Sequence, residues 1–252
     1  FKPDVIFNAL HGQFGEDGYI QTILDKFKIP YTHSGAIASS IAMDKEISKK
    51  IFIKNKIKTP KFFTYSYDIT KSKLIKKINK ELRFPVVIKP LNEGSSVNVY
   101  ITNKKTLDKI LYKLKVYKKI LIEEFIGGRE IQVAIMGDKK LGAIELKPKR
   151  KFYDYQAKYD TKSKTQHIIP VDLLKSKFNK VMDIAYKAHK IIGCRGVTRS
   201  DFKFFNGNFY LLELNTQPGM TKLSLVPEIA LYKGISFLKL IEWMLKDASK
   251  KK

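Results

Sequence analysis

The sequence contains a single cysteine, Cys194, in 252 residues. No intramolecular disulfide framework is available, so the fold must rest on its apolar core, and a lone thiol reads as a structural group in a reducing compartment. No apolar run approaches the roughly 18 residues needed to span a bilayer, and no charged segment followed by an apolar stretch opens the chain. The reading is a soluble, cytoplasmic protein without a membrane partner. Acidic residues are scarce: 24 Asp and Glu stand against 49 Lys and Arg, a formal net charge of +25. That excess raises a nucleic-acid hypothesis, which the distribution argues against. The lysines are spread over every segment together with Ile and Asn, as an AT-rich coding bias on surface positions produces, and no single basic stripe or nucleic-acid motif accompanies them. Internal repeats and low-complexity segments are also missing, apart from the short tail of lysines at 250–252.

What remains is an alternation of strands and helices, an α/β chain built of α+β lobes. An apolar stretch at 5–9 runs into the Gly-rich turn of His11, Gly12, Gly15 and Gly18, and a helix is predicted over 19–27. Helical spacing continues over 42–56, stopped by Pro60. Strands are predicted near 61–65, 85–89, 97–101 and 119–124, with helices near 71–81 and 104–115 between them. Two hairpins follow, 130–136 with 141–147 and 197–205 with 208–214, turning at Gly137-Asp138 and Asn206-Gly207. Helices are expected at 178–192 and 236–245. The division expected from this pattern is a substrate-side α/β remnant at 1–40, a central lobe at 41–124 and a C-terminal lobe at 125–252.

The second hairpin is the most informative feature. In paired antiparallel strands, Asp201, Glu213 and Asn215 can share one face. Two carboxylates and an amide oxygen form a hard-oxygen set suited to Mg²⁺, with Arg199 two residues from Asp201 on the same face and able to meet a phosphoryl oxygen. Taken alone, acids on a hairpin are usually a solvated edge. The companions shift that balance. An apolar strand delivers Lys89 to its end, followed by Asn92-Glu93-Gly94-Ser95-Ser96, whose backbone N–H groups and hydroxyls suit phosphate oxygens. The lysine precedes the glycine, so this is not the Walker arrangement. A further strand enters Gly127-Gly128-Arg129-Glu130, where a carboxylate could pair with ribose hydroxyls; an inter-domain linker would look similar. Finally Gln217-Pro218-Gly219-Met220-Thr221 leads toward Ser224-Leu225, a turn feeding a helix N-terminus that offers free N–H groups to an anion.

In order along the chain, IKP, EGSS, IEEF, GGRE, FYDYQAKY, GCRGVTRSDF, LLELNTQPGMT and SLVPE resemble the D-alanine:D-alanine ligase family of ATP-grasp enzymes, from His11 to about residue 249. The resemblance implies an ATP-grasp fold in which two lobes clasp ATP beside the remnant N-terminal domain, and ligation of two D-alanines through an acyl phosphate for peptidoglycan precursor synthesis. It implies two Mg²⁺ ions, with Mn²⁺ a substitute, on Asp201, Glu213 and Asn215. Lys45 and Lys89 are expected at the phosphates, Glu123, Phe125 and Ile126 around adenine, and Glu130 at ribose. Arg199 and the Gly219 N–H are expected at the reacting carbon, with Ser224 and the Leu225 N–H on the second D-alanine. Lys158 and Tyr159 are expected on a loop over the site, Tyr159 reaching toward Ser95. His11 is expected near the first substrate, although a His in a Gly-rich turn is more often a local hydrogen-bond partner. Partners are small molecules, D-alanine and ATP, without nucleic acid, and a homodimer fits the family. The family's first strand, with a Gly-rich loop and a Glu that meets the first D-alanine, precedes Phe1, so a truncated start is expected. Gln156 and Asn98 depart from the family's Glu and Gly, the latter tolerable if Asn98 adopts positive φ. Tyr159 favours an amine acceptor over D-lactate.

Overall fold

A computed structural model describes residues 3–94, 97–147 and 165–250. The predicted residues Ser95, Gln156, Lys158 and Tyr159 lie outside the described set.

Helices α1 (Tyr19–Lys26), α2 (Ala36–Met43) and α3 (Lys45–Lys54) precede a first lobe of strands β1 (Phe62–Tyr65), β2 (Val86–Pro90), β3 (Tyr100–Thr102) and β4 (Ile120–Glu124) with helices α4 (Lys71–Glu81) and α5 (Leu107–Lys113). These strands form an antiparallel sheet in the order β1-β4-β2-β3. The period of two decides what each face does. Val86 and Ile88 of β2 and Ile120 and Ile122 of β4 meet Leu74, Ile78, Leu107 and Leu114 of the helical layer. Val87, Lys89 and Glu123 therefore point the opposite way, into the cleft between the lobes.

The second lobe holds β5 (Arg129–Met136), β6 (Lys139–Lys147), β7 (Gln166–Ile168), α6 (Lys175–Ile192), β8 (Val197–Phe205), β9 (Asn208–Asn215), α7 (Leu225–Tyr232) and α8 (Phe237–Ser249). Its sheet runs β7-β6-β5-β8-β9, antiparallel throughout. Ile131, Val133 and Ile135 of β5 pack with Phe202, Val181, Ala185 and Phe52 in the core under α6 and α3. The other face is divided. At one end Ala134, Met136 and Val197 are covered by Val226 and Ile229 of α7 and Leu240 and Met244 of α8. At the other end Glu130, Asp201 and Lys203 line the cleft, with no helix among the described residues packed over them. Covering half a sheet face with apolar contacts and leaving the other half polar is what creates the site.

Three local expectations change. The strand at 5–9 is reduced to a parallel bridge between Ile6 and Tyr31; the Asn8 N–H goes to Thr32 Oγ1 (3.0 Å) instead of to a neighbouring strand. The single helix at 42–56 is two helices, because Asp44 adopts extended backbone and its carboxylate accepts from the N–H groups of Glu46 (2.8 Å) and Ile47 (2.9 Å), capping α3. The strand at 97–101 contracts to Tyr100–Thr102, because the Val97 N–H donates to the Gly94 carbonyl and Asn98 has φ 55°. Asn98 holds the left-handed conformation foreseen for it and donates to Tyr117 Oη at 2.9 Å. The helix start expected at Ser224-Leu225 is α7; its Pro227 lies in the first turn, where a missing N–H costs nothing.

Candidate functional site

The cleft is about 760 Å³ and is lined from the first lobe by Lys45, Lys89, Glu93, Glu123, Phe125 and Ile126. From the second lobe it is lined by Glu130, Asp201, Lys203, Leu212 and Glu213. A second cavity of about 380 Å³ continues from it, lined by Glu16, Lys45, Glu93, Gly94, Glu213 and Asn215.

The floor is organised by strand register. Glu130 of β5 faces Lys203 of β8, and two residues along, Gln132 faces Asp201. Across the next pairing, Asp201 faces Glu213 and Arg199 faces Asn215. Between Phe202–Leu211 and Asp201–Glu213 the register shifts at Leu212. This bulge brings both Leu212 and Glu213 onto the cleft, the kind of re-aiming that bulges provide beside sites. Arg199 grips Asp201 with two hydrogen bonds, Nε to Oδ1 at 2.7 Å and Nη2 to Oδ2 at 2.9 Å. Gln132, oriented with its amide nitrogen toward Asp201, donates to the same carboxylate.

The opposite wall is a buried charge network. Lys89 Nζ lies 2.6 Å from Glu123 Oε1, and Lys49 Nζ lies 2.9 Å from Glu123 Oε2 while donating to Thr59 Oγ1 at 2.6 Å. All three charged side chains are buried. Burial works to raise the Glu123 carboxyl, but Lys49 and Lys89 outweigh it and hold the group below its ordinary value. Burial pushes Lys49 down to about 8 against the attraction of Glu123. Lys45, the first residue of α3, donates to the carbonyls of Glu93 (2.5 Å) and Leu91 (3.4 Å), and burial lowers its pKa also. It therefore pins the loop that follows β2.

At the other end of the site, Ser224 precedes α7 and its Oγ meets Thr221 Oγ1 at 2.9 Å. A Cβ added to Gly219 would come 3.0 Å from Ser224 Oγ, so that turn is packed against the serine. Leu225 opens the helix, where N–H groups lack internal partners. The N-terminal segment is tied in by Gln217, which accepts from Asn8 Nδ2 at 2.8 Å and donates to the Leu10 carbonyl. His11 is half exposed, with Nδ1 3.8 Å from Glu16 Oε2, and that contact is the main reason its pKa is raised; Arg199 acts in the opposite sense.

The structure thus brings Lys45, Lys89, Glu123, Phe125, Ile126, Glu130, Asp201 and Glu213 to one cleft, with Asn215 in the adjoining cavity. Ser224, Leu225 and Gly219 form a separate cluster on the turn before α7. Four residues were missed: Glu16, Lys49, Gln132 and Lys203. Glu16 could have been found as the acid inside the Gly-rich turn, and Lys203 as the residue two beyond Asp201 on the same strand face. Lys49 stands four residues after Lys45, on the same helix face, but its surroundings read as an ordinary lysine-rich surface.

Among the described residues no group of three His, Cys, Asp or Glu side chains is arranged to hold a metal. The donors that fit a hard cation are Asp201, Glu213 and the Asn215 amide, paired in register on one sheet face. Since Arg199 already engages both oxygens of Asp201, a bound cation has to share or replace that contact.

Residues 52–246 match the family model described as the D-ala D-ala ligase C-terminus, and residues 1–34 match that of the D-ala D-ala ligase N-terminus. The D-alanine–D-alanine ligase of Pelagibacter ubique is 73% identical over 249 residues, 99% of this chain and 82% of that protein. That of Rhodospirillum rubrum is 43% identical over 98% of this chain and 80% of its own length. Two crystal structures of D-alanine–D-alanine ligase from Bacillus anthracis superpose over 97% of this chain. One, at 35% identity and covering 80% of that protein, gives a TM-score of 0.86. The other, complexed with ATP, is 31% identical, covers 79% and gives 0.83.

Proposed function

The chain belongs to the D-alanine–D-alanine ligase family, and from that premise we propose how its side chains divide the work. It is an ATP-dependent enzyme of the ATP-grasp fold that joins D-alanine to D-alanine. The observation that carries the assignment of roles is the cleft itself. One wall bears Lys89 and Glu123 with Phe125 and Ile126; the facing floor bears Glu130, Asp201 and Glu213.

ATP enters this cleft with adenine against Phe125, Ile126 and Glu123, ribose at Glu130, and phosphates toward Lys89 and Lys45. Asp201, Glu213 and Asn215 would hold Mg²⁺, two ions in the full reading with Mn²⁺ as substitute, which when bound supplies neutralisation of phosphate charge. The carboxylate of the first D-alanine attacks the γ-phosphate, the bond to the β–γ bridging oxygen breaks, and an acyl phosphate and ADP result. Arg199 faces the charge that develops there. The amine of the second D-alanine, having given up a proton, then attacks the acyl carbon, and inorganic phosphate leaves as the tetrahedral intermediate collapses to the peptide. The Gly219 N–H and Arg199 stabilise the oxyanion, while Ser224 and the Leu225 N–H hold the acceptor carboxylate. Ser95, Lys158 and Tyr159 carry the exclusion of water, and His11, steadied by Glu16, stands on the first-substrate side. The same reading covers the division at 1–40, 41–124 and 125–252, a cytoplasmic location where ATP is supplied, a role in peptidoglycan precursor synthesis, and a homodimer. No helix among the described residues is long and apolar enough to cross a membrane.

The test is product analysis. With ATP, Mg²⁺ and D-alanine, the protein is expected to form D-alanyl-D-alanine and ADP at neutral pH. Faster product formation when D-lactate is the acceptor would reject the amine preference. Glu213→Ala is expected to remove Mg²⁺-dependent ATP binding in calorimetry, and unchanged affinity would reject the metal assignment.

A further inference from the structure

Lys203 is a cation that the reaction as described does not use. It stands directly opposite Glu130 in the β5–β8 register. Its Nζ lies 2.9 Å from Glu130 Oε2, with the two side chains 16% and 12% exposed. Both residues line the nucleotide cleft. The neighbouring cations face other carboxylates: Lys89 and Lys49 face Glu123, and Arg199 faces Asp201. The next row along the floor, Gln132 with Asp201, lies two residues away, or about 7 Å along a strand. The sugar end and the metal end of the floor are therefore separate rows, each with its own anion and its own cation.

We propose that Lys203 is a specificity-determining residue for the nucleotide sugar, forming with Glu130 a two-point reader of the ribose hydroxyls. This rests on the reading of Glu130 as the ribose carboxylate. The chemistry is complementary. An ionised carboxylate only accepts hydrogen bonds and has about four lone-pair sites, whereas an ammonium only donates and has three protons. A carboxylate and an ammonium can each make further hydrogen bonds beside the one they share. A hydroxyl placed between them donates to Glu130 and accepts from Lys203, so both halves of its hydrogen-bonding capacity are met. A sugar lacking that hydroxyl leaves two largely buried charged groups facing an apolar C–H.

The experiment compares KM for ATP with KM for 2′-deoxy-ATP in the full chain, for wild type, Lys203→Met, Lys203→Arg and Glu130→Gln. Wild type is expected to favour ATP, and Lys203→Met to shrink the ratio of the two KM values at least fivefold by raising KM for ATP. Lys203→Arg is expected to restore most of the ratio, because the guanidinium again donates to carboxylate and hydroxyl. A residue that merely supports the strand would move both KM values together and leave the ratio unchanged, which overturns the proposal. If Glu130→Gln collapses the ratio and Lys203→Met does not, the role of Lys203 alone is wrong. If neither wild type nor Glu130→Gln discriminates, the ribose reading of Glu130 falls and the role of Lys203 with it. Should Lys203→Met yield no folded protein, Lys203→Gln reads the same ratio.

Discussion

At the scale of single residues, the most consequential side chains are buried polar groups, and their protonation couples to folding. His189 of α6 is 1% exposed and its Nδ1 lies 2.8 Å from Thr198 Oγ1 on β8. Burial lowers its pKa from 6.5 to about 4, with Lys190 adding to the effect. A histidine depressed in the folded state takes up its proton first in the unfolded chain. Stability is therefore lost as pH falls from 6.5 toward 4, at up to about 1.4 kcal/mol per pH unit for this one group. His33, also buried and held near 3, with Nε2 lacking a hydrogen-bond partner, acts in the same direction. His189→Gln should be less stable than wild type at pH 7, yet its urea-derived stability should fall more gently between pH 6.5 and 4. Parallel acid limbs for the two proteins would show that His189 does not carry this proton linkage.

At the scale of elements, the start of α3 is where helix chemistry and the site meet. Asp44 caps the helix through the N–H groups of Glu46 and Ile47, and the next residue is Lys45, with Lys49 one turn on. Asp44→Ala leaves those donors without their acceptor and should cost about 1 kcal/mol. It should also raise KM for ATP, because the first turn that aims Lys45 frays. Asp44→Asn, which keeps an acceptor, should lose much less of both, and a urea midpoint unchanged in Asp44→Ala would reject the cap. This break was visible as an Asp before a helical run, but an uninterrupted apolar spacing over 42–56 masked it. Elements with strong periodicity were legible: α4 falls at 71–81 and both hairpins turn at the predicted dipeptides. Pairing was less so. Among the described residues the N-terminal strand finds a single bridge, to Tyr31, while the start of α7 at Ser224-Leu225 was legible and its end was not. The same contrast holds for the site. Asp201, Glu213 and Asn215 could be placed on one face because a single hairpin fixes them. The attachment of Glu123 to Lys49 depends on how a helix and a strand distant in sequence are brought together, and that of Glu130 to Lys203 on two strands that are neighbours in the sheet but not consecutive in the chain, which spacing along the chain does not encode.

At the scale of the whole molecule, the net charge of +25 acts on folding and on ligand capture with opposite consequences for added salt. With 49 basic and 24 acidic residues, repulsive pairs outnumber attractive ones. Exposed pairs such as Lys71–Asp108, Lys140–Asp183 and Lys190–Asp138 contribute little each and are screened as readily as the repulsions. The Lys49–Glu123–Lys89 network, out of water, is hardly screened. Raising KCl from about 20 to about 200 mM shortens the Debye length from about 20 Å to about 7 Å, and so should relieve self-repulsion and raise Tm. The same screening removes the long-range attraction between a cationic protein and anionic ATP, so KM for ATP should rise over that range. D-alanine, a zwitterion without net charge, feels no such field, and its KM should stay nearly constant. Thermal melts and initial rates in one KCl series test all three. A Tm that falls with KCl would mean that the few attractive pairs outweigh the excess of like charge, and a KM for D-alanine that rises in step with that for ATP would trace the salt effect to the fold instead of to the field.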